Sequence, residues 1–253
     1  MLRARLARLH ARRLSRASQP TLEYLNVYRD TMADLEALDS AEPETVAAFF
    51  AAAVLPLRRA YAWAVPSHEA LGAIAEASPR GVVEIGAGTG YWAYELRDRG
   101  VSVEAYDIAP VHLDLHNGYH HLGDGGNALP WFDVQAGGAE AAAAHSERTL
   151  LLCWPPGGDS MAEECLDAYK GDTVVYVGER EEQIALPLGA TRECGASASR
   201  RFQEMLAEHF QLSRTIAIPT WGYNCDDLTI WTRRDATPPC VTHGHADVHV
   251  CKL

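Results

Sequence analysis

Residues 82–92 read VVEIGAGTGYW, and few architectures can accommodate that run. Val82, Val83 and Ile85 are β-branched and apolar, which suits a strand buried on both faces. Gly86, Gly88 and Gly90 follow at alternate positions, and a helix-compatible stretch runs from Tyr91 to Arg99. Glycine lets the backbone turn sharply and lets a ligand come close to main-chain N–H groups. A buried strand, a glycine turn and a helix in this order predict the first unit of an open parallel sheet. The ligand crevice of such a sheet lies outside the carboxyl ends of its strands.

The chain beyond this unit keeps the same alternation. Strands are predicted over 81–85, 101–106, 132–136, 149–154, 172–178, 212–218 and 227–232. Helices are predicted over 91–99, in the alanine-rich stretch up to about 145, and over 161–169 and 198–209. This is an α/β pattern: a doubly wound, mostly parallel seven-stranded sheet. The last two strands have no helix between them, so they are expected to pair as an antiparallel hairpin. Residues 1–78 are rich in Ala, Leu, Glu and Arg and read as helical, with a cap signal at Ser67 before HEALGAIAEA. The expected organisation is a helical cap over 1–78, the sheet domain over 79–234 and a tail over 235–253.

Two ligand classes use a glycine turn of this kind. Dinucleotides want G-x-G-x-x-G, whose third glycine lets the helix pack closely. Here that third position is Tyr91, which argues against a pyrophosphate. Asp107 ends the second predicted strand, where a carboxylate can accept both hydroxyls of a ribose. The E-x-G-x-G-x-G run with an acid closing the next strand resembles motif I and the ribose acid of the class I S-adenosylmethionine-dependent methyltransferases. The element order from 81 to 233 is similar to that family's sheet. The resemblance implies that S-adenosylmethionine is the cofactor, that Gly86, Gly88 and Gly90 lie against it, and that Asp107 binds its ribose. Glu84 matches the motif I acid, which either orients the loop or reaches the cofactor amino group through water. An NAD-linked oxidoreductase and a non-catalytic protein with an adenosine site are the alternatives from other classes.

The fourth predicted strand runs into Cys153-Trp154-Pro155-Pro156-Gly157. The Pro-Pro pair resembles the (D/N/S)-P-P-(Y/F/W) motif of amino methyltransferases, in which a proline carbonyl holds the acceptor N–H. The chain departs from it at both ends, with Trp154 for the polar residue and Gly157 for the aromatic. Trp154 and Pro155 are the candidate acceptor-site residues, and Trp154 could wall a planar or cationic acceptor. Nitrogen is favoured over oxygen as the atom methylated. Methyl transfer from a sulfonium depends mainly on alignment, and needs a base only where the acceptor must lose a proton. His120 and Glu179 are the candidate bases. In the segment YAWAVPS (61–67), Tyr61 and Trp63 either cover the cofactor or pack in the core. Together, YAWAVP, EIGAGTGYW, CWPP and YVGE resemble a group of bacterial and plant methyltransferase-like proteins with no assigned substrate.

Charge narrows the partners. The net charge is -12, although Arg3, Arg5, Arg8, Arg12, Arg13 and Arg16 lie in a start that carries no acid. An acidic body repels phosphate backbones, so a small-molecule acceptor is expected rather than a nucleic acid. No apolar run approaches the ~20 residues that span a bilayer, and no membrane partner is expected. The arginine-rich start reads as a surface helix or as a targeting presequence. Leu2, Leu6 and Leu9 share one helical face there, and a homodimer would cover it. Six cysteines without a paired framework suit a reducing cytoplasm. The tail residues Cys240, His243, His245, His249 and Cys251 have spacings compatible with zinc or copper, but Asp247, His249 and Cys251 alternate with valines as in a short strand, and no metal is assigned.

Overall fold

A computed structural model of the chain describes residues 22–38, 42–113, 115–180, 197–222 and 224–234. The arginine-rich start with Leu2, Leu6 and Leu9, and the Cys/His tail from Cys240 to Cys251, lie outside the described residues. Seven strands form one sheet: β1 (Val82–Ile85), β2 (Val103–Asp107), β3 (Gln135–Ala136), β4 (Thr149–Cys153), β5 (Thr173–Gly178), β6 (Phe210–Ala217) and β7 (Asp227–Arg233), in the order β3-β2-β1-β4-β5-β7-β6. The pairs among β1 to β5 are parallel. β7 runs antiparallel to both β5 and β6, which gives the expected closing hairpin. The chain therefore has the seven-stranded, mostly parallel α/β fold that the resemblance implies. The order reverses between β1 and β4, which opens a crevice at their carboxyl ends.

Strand residues alternate between two cores, as the period of two in a strand requires. Val82, Leu151, Val175 and Val177 face one side, while Val83, Leu150, Leu152, Val174 and Tyr176 face the other. The second side is closed by helices over Ala139–Ala144, Met161–Ala168 and Arg200–His209. The first side is closed by the helix Tyr91–Asp98 and by the N-terminal helices Glu23–Glu36, Pro43–Phe49, Leu55–Ala60 and His68–Ala77. Leu22, Leu25, Leu57, Leu71 and Ile74 from the N-terminal segment share one buried cluster with the sheet, so these helices are continuous with its core. Ser67 caps the helix His68–Ala77 by accepting from Ala70 N at 3.0 Å. A π turn at Phe50–Val54 runs into Pro56, which has no N–H to continue the regular ladder.

Residues 59–64 carry the chain from the end of the helix Leu55–Ala60 to the site, and carbonyls at and beyond the last helical turn must find other partners. Side chains supply them. Arg59 O faces His120 Nδ1 at 2.9 Å, Ala60 O accepts from Trp131 Nε1 at 2.9 Å, and Tyr61 O accepts from Thr89 Oγ1. Ala62 O accepts from the Tyr24 hydroxyl at 2.9 Å, and Ala64 O from Trp92 Nε1 at 3.3 Å. The strap is thereby held across the glycine loop. Beneath it, Tyr61 stacks on Tyr24 and Trp131, and Tyr91 meets all three rings edge-on. Trp221 closes the cluster and donates from Nε1 to the Tyr24 hydroxyl at 3.0 Å.

The segment between β2 and β3 contains a single 3-10 turn, Gly123–Gly125, and no helix among its described residues. Two asparagines knit it. Asn117 Nδ2 donates to Ala109 O at 2.8 Å, while its Oδ1 accepts from the N–H groups of Tyr119 and His120. Asn127 accepts from Asn117 N and donates to Leu115 O and Val111 O. Replacement of buried Trp221 by Ala should lower the unfolding free energy by about 3–5 kcal/mol, as for other buried Trp truncations. Urea denaturation checks this, and a loss below about 1 kcal/mol would contradict the anchoring role assigned to the aromatic cluster.

Candidate functional site

The crevice holds a cavity of about 520 Å³. That lies within the range of roughly 300–1,000 Å³ typical of small-ligand sites. One end is built by Gly86, Ala87 and Gly88, by Asp107 with Ile108 and Ala109, and by Gly137 and Gly138. The other end is built by Trp63, Tyr119, Cys153, Trp154, Pro155 and Pro156. Glu84 lines the wall as well.

The glycine turn has a physical explanation at each position. Gly86, Gly88 and Gly90 all have positive φ, at +73°, +57° and +76°, a region that side-chain-bearing residues rarely enter. A Cβ on Gly88 would collide with the His120 ring, and one on Gly86 with the Met161 methyl group. Gly90 does not line the cavity. It starts the helix Tyr91–Asp98 and lies where a Cβ would come within 2.6 Å of Phe132 Cβ. Its glycine therefore serves the turn, in place of the cofactor contact that the resemblance implied. Tyr91, at the position of the third dinucleotide glycine, is fully buried in the aromatic cluster.

Asp107 is buried at the end of β2 and lines the cavity. Its Oδ2 accepts from Gly88 N at 2.9 Å and its Oδ1 from Ala109 N at 2.8 Å. Each carboxylate oxygen keeps lone-pair capacity beyond one N–H bond, so a pair of vicinal hydroxyls can still be received. The same bonds hold the acid against the glycine turn. Ile108, the next residue, lines the cavity with 78% of its surface exposed, an unusual position for a large apolar side chain. It offers one flat apolar wall beside the acid. Its signal in the sequence is an apolar residue directly after a strand-ending acid.

Glu84 is 1% exposed, and its Oε2 has no hydrogen-bond partner. Burial raises its carboxyl from 4.5 to about 8; an N–H bond from Ala93 opposes the shift and the charge of Asp107 adds to it. A cation brought near it would favour ionisation. His120 is buried too, with Nδ1 against Arg59 O, so the proton resides on Nδ1 and the lone pair of Nε2 faces the Gly88 turn. Burial holds the imidazole below its ordinary value, against the opposing pulls of Arg59 O and Asp107. It stands at the glycine-loop end of the cavity.

The remaining candidates separate. Trp63 lines the cavity, whereas Tyr61 is turned into the core, with its hydroxyl on Glu23 Oε1 at 2.9 Å, and covers nothing. Trp154 lines the cavity in a left-handed conformation, φ +54°, that costs about 1–3 kcal/mol for a side-chain-bearing residue. Its N–H bond to Val177 O at 2.8 Å and its Nε1 bond to Asp226 Oδ1 at 2.7 Å hold it there. Burial pushes the Asp226 carboxyl up to about 6; the bond from Trp154 and the charge of Arg58 oppose the shift, while Glu179 and Asp227 add to it. The Pro155 carbonyl, which the resemblance offers to an acceptor N–H, already accepts from Ala198 N at 2.6 Å. Glu179 is buried outside the cavity lining and receives Cys225 N at 2.9 Å and Asn224 Nδ2 at 3.3 Å. It anchors the loop before β7 and is not placed to act as a base on a ligand in the cavity. The Cys153 thiol lines the cavity but stays protonated, pushed well up by burial and by Glu84 and Asp226.

No family model matches the chain, and no curated protein matches its sequence. Solved structures give distant likenesses. Magnesium protoporphyrin IX methyltransferase from Synechocystis PCC 6803 with bound SAM is similar at 12% identity and a TM-score of 0.42, over 87% of this chain and 100% of that one. A putative tRNA (m1A22) methyltransferase from Streptococcus pneumoniae, in complex with S-adenosyl-L-methionine, is similar at 14% identity and a TM-score of 0.40, over 66% and 73%. The ribosomal protein L11 methylase from Lactobacillus delbrueckii subsp. bulgaricus is similar at 16% identity and a TM-score of 0.38, over 67% and 81%.

The raised Glu84 carboxyl has a consequence for stability. The folded protein retains a proton that the unfolded chain has lost, so stability falls as pH rises from about 4.5 to about 8 and levels off above that. The variant Glu84→Gln lacks this term. Its urea midpoint should gain on that of the parent between pH 5 and pH 8.5, and a constant difference across that window would contradict the assigned state of Glu84.

Proposed function

We propose that the chain is an S-adenosylmethionine-dependent methyltransferase acting on a small-molecule acceptor. The observation that carries this reading is the joining of Asp107 to the Gly88 turn at the reversal point of the sheet, with Ile108 beside it and the unpartnered oxygen of Glu84 on the same cavity wall. The donor set fits the cofactor. Asp107 suits ribose hydroxyls, Ile108 suits a face of the adenine ring, and the acidic lining suits a molecule carrying an ammonium and a sulfonium.

S-adenosylmethionine held there would supply an electrophilic methyl group with a good leaving group. The chain's own part is then binding, alignment and the exclusion of water. The glycine turn lets the cofactor approach the backbone, and the strap 59–64 fixes the turn from behind. Trp63 and Trp154 form the far wall, where the acceptor would lie. The Pro155 carbonyl accepts one N–H, from Ala198, and keeps a second lone pair for an acceptor N–H, the contact on which the preference for nitrogen over oxygen rests. The small-molecule reading is supported by the acidic body and by a cavity lining that holds no Lys or Arg among the described residues. No helix of the described residues is long and apolar enough to cross a membrane.

Calorimetric titration with S-adenosylmethionine and S-adenosylhomocysteine should show micromolar binding that Asp107→Ala weakens at least a hundredfold. Binding of NAD in their place would contradict the proposal, as would binding of either compound with unchanged affinity in the variant.

A further inference from the structure

The acceptor end of the cavity is aromatic in an ordered way. Trp63 and Trp154 stack with ring centroids 5.4 Å apart and planes 23° apart, and Tyr119 meets Trp63 edge-on at 6.1 Å. All three line the cavity. The two tryptophans come from separate parts of the chain, the strap and the end of β4. Each is fixed independently: the strap by its satisfied carbonyls, and Trp154 by Val177 and Asp226. Tyr119 sits on the asparagine-knit loop and is 52% exposed.

Charge decides what such a wall accepts. The Arg58 guanidinium already lies over both indoles, 5.4 Å from the Trp63 ring and 5.2 Å from the Trp154 ring, with Nη2 bonded to Asn224 Oδ1 at 2.5 Å. The attraction of these rings for a cation is therefore already used by the chain itself, and a second cation at the rings would meet the like charge of Arg58. An anion fares no better. Asp107, Asp159 and Glu164 line the cavity, and no Lys or Arg does so among the described residues. An uncharged, flat ring avoids both penalties and gains offset stacking and edge contacts, each worth roughly 0.5–1.5 kcal/mol beyond burial.

We infer that the acceptor is an uncharged flat aromatic molecule, held against Trp63 and Trp154 with Tyr119 as the exposed side of the slot. This rests on the methyltransferase reading above, and the experiment separates the two. The protein is first titrated with S-adenosylhomocysteine. The loaded protein is then titrated by calorimetry at pH 7 with three probes that share one ring system and differ in charge: 2-naphthol, 2-naphthoate and 2-naphthylmethylamine. The expected result is binding of 2-naphthol at least tenfold tighter than either charged probe. Tyr119→Ala, which removes an exposed ring and leaves the core intact, should weaken 2-naphthol at least threefold with unchanged affinity for S-adenosylhomocysteine, and Trp63→Ala should weaken it at least tenfold. Preference for a charged probe, equal or absent binding of all three, or full affinity in both variants would overturn the inference. If S-adenosylhomocysteine itself does not bind, the methyltransferase reading fails and this inference fails with it. If it binds and the ring selectivity is absent, only this inference fails.

Discussion

The site depends on the strap formed by the end of the helix Leu55–Ala60 and the irregular residues that follow it. Residues 59–64 lie between the N-terminal helices and the glycine turn, and the carbonyls of Arg59, Ala60, Tyr61, Ala62 and Ala64 are satisfied by His120, Trp131, Thr89, Tyr24 and Trp92. Each such bond contributes only about 0.5–1.5 kcal/mol net. Leaving its carbonyl bare in the interior would cost more than that gain, so the set acts as one constraint. Four of the five donors are ring side chains, and their rings also pack the core. Because Thr89 belongs to the glycine loop and His120 to the loop after β2, the strap ties together the N-terminal helices, the turn and the cavity wall.

This explains which parts were legible in the sequence. β1, its glycine turn, the strand-ending Asp107 and the closing hairpin were readable because they rest on local pattern: β-branched runs, positive-φ glycines and two strands without an intervening helix. The roles of Tyr61 and Trp63 were not readable, because two aromatics two residues apart on an irregular strap are sent to different places by distant partners, Tyr61 by Glu23, Tyr24 and Trp131 and Trp63 by Tyr119 and Trp154. Glu179 looked like a base at a strand end. Its carboxylate is instead claimed by Asn224 and Cys225, on a loop that only tertiary structure brings near. Gly90 fitted a motif by spacing, yet its glycine answers to Phe132. Arg58 and Asp226, which flank the tryptophan wall, carried no motif at all.

The electrostatics of the cavity follow from the same arrangement. Glu84 within β1 and Cys153 at the end of β4 lie in an apolar interior, so both keep their protons; Asp107 accepts N–H bonds from Gly88 and Ala109. Asp107 is placed to receive hydroxyl groups, and Glu84 is poised to ionise when a cation approaches. Beyond them, Arg58 lies over both tryptophan rings with its Nη2 bonded to Asn224, and no Lys or Arg lines the cavity among the described residues.

The central claim is that the Gly88–Asp107 junction holds the ribose of S-adenosylmethionine. A crystal structure of the protein grown with S-adenosylhomocysteine tests it most directly. The account predicts both ribose hydroxyls within hydrogen-bond distance of the Asp107 carboxylate, the adenine ring against Ile108, and the sulfur directed toward Trp154. A nucleoside bound elsewhere, or with its ribose turned away from Asp107, would contradict it.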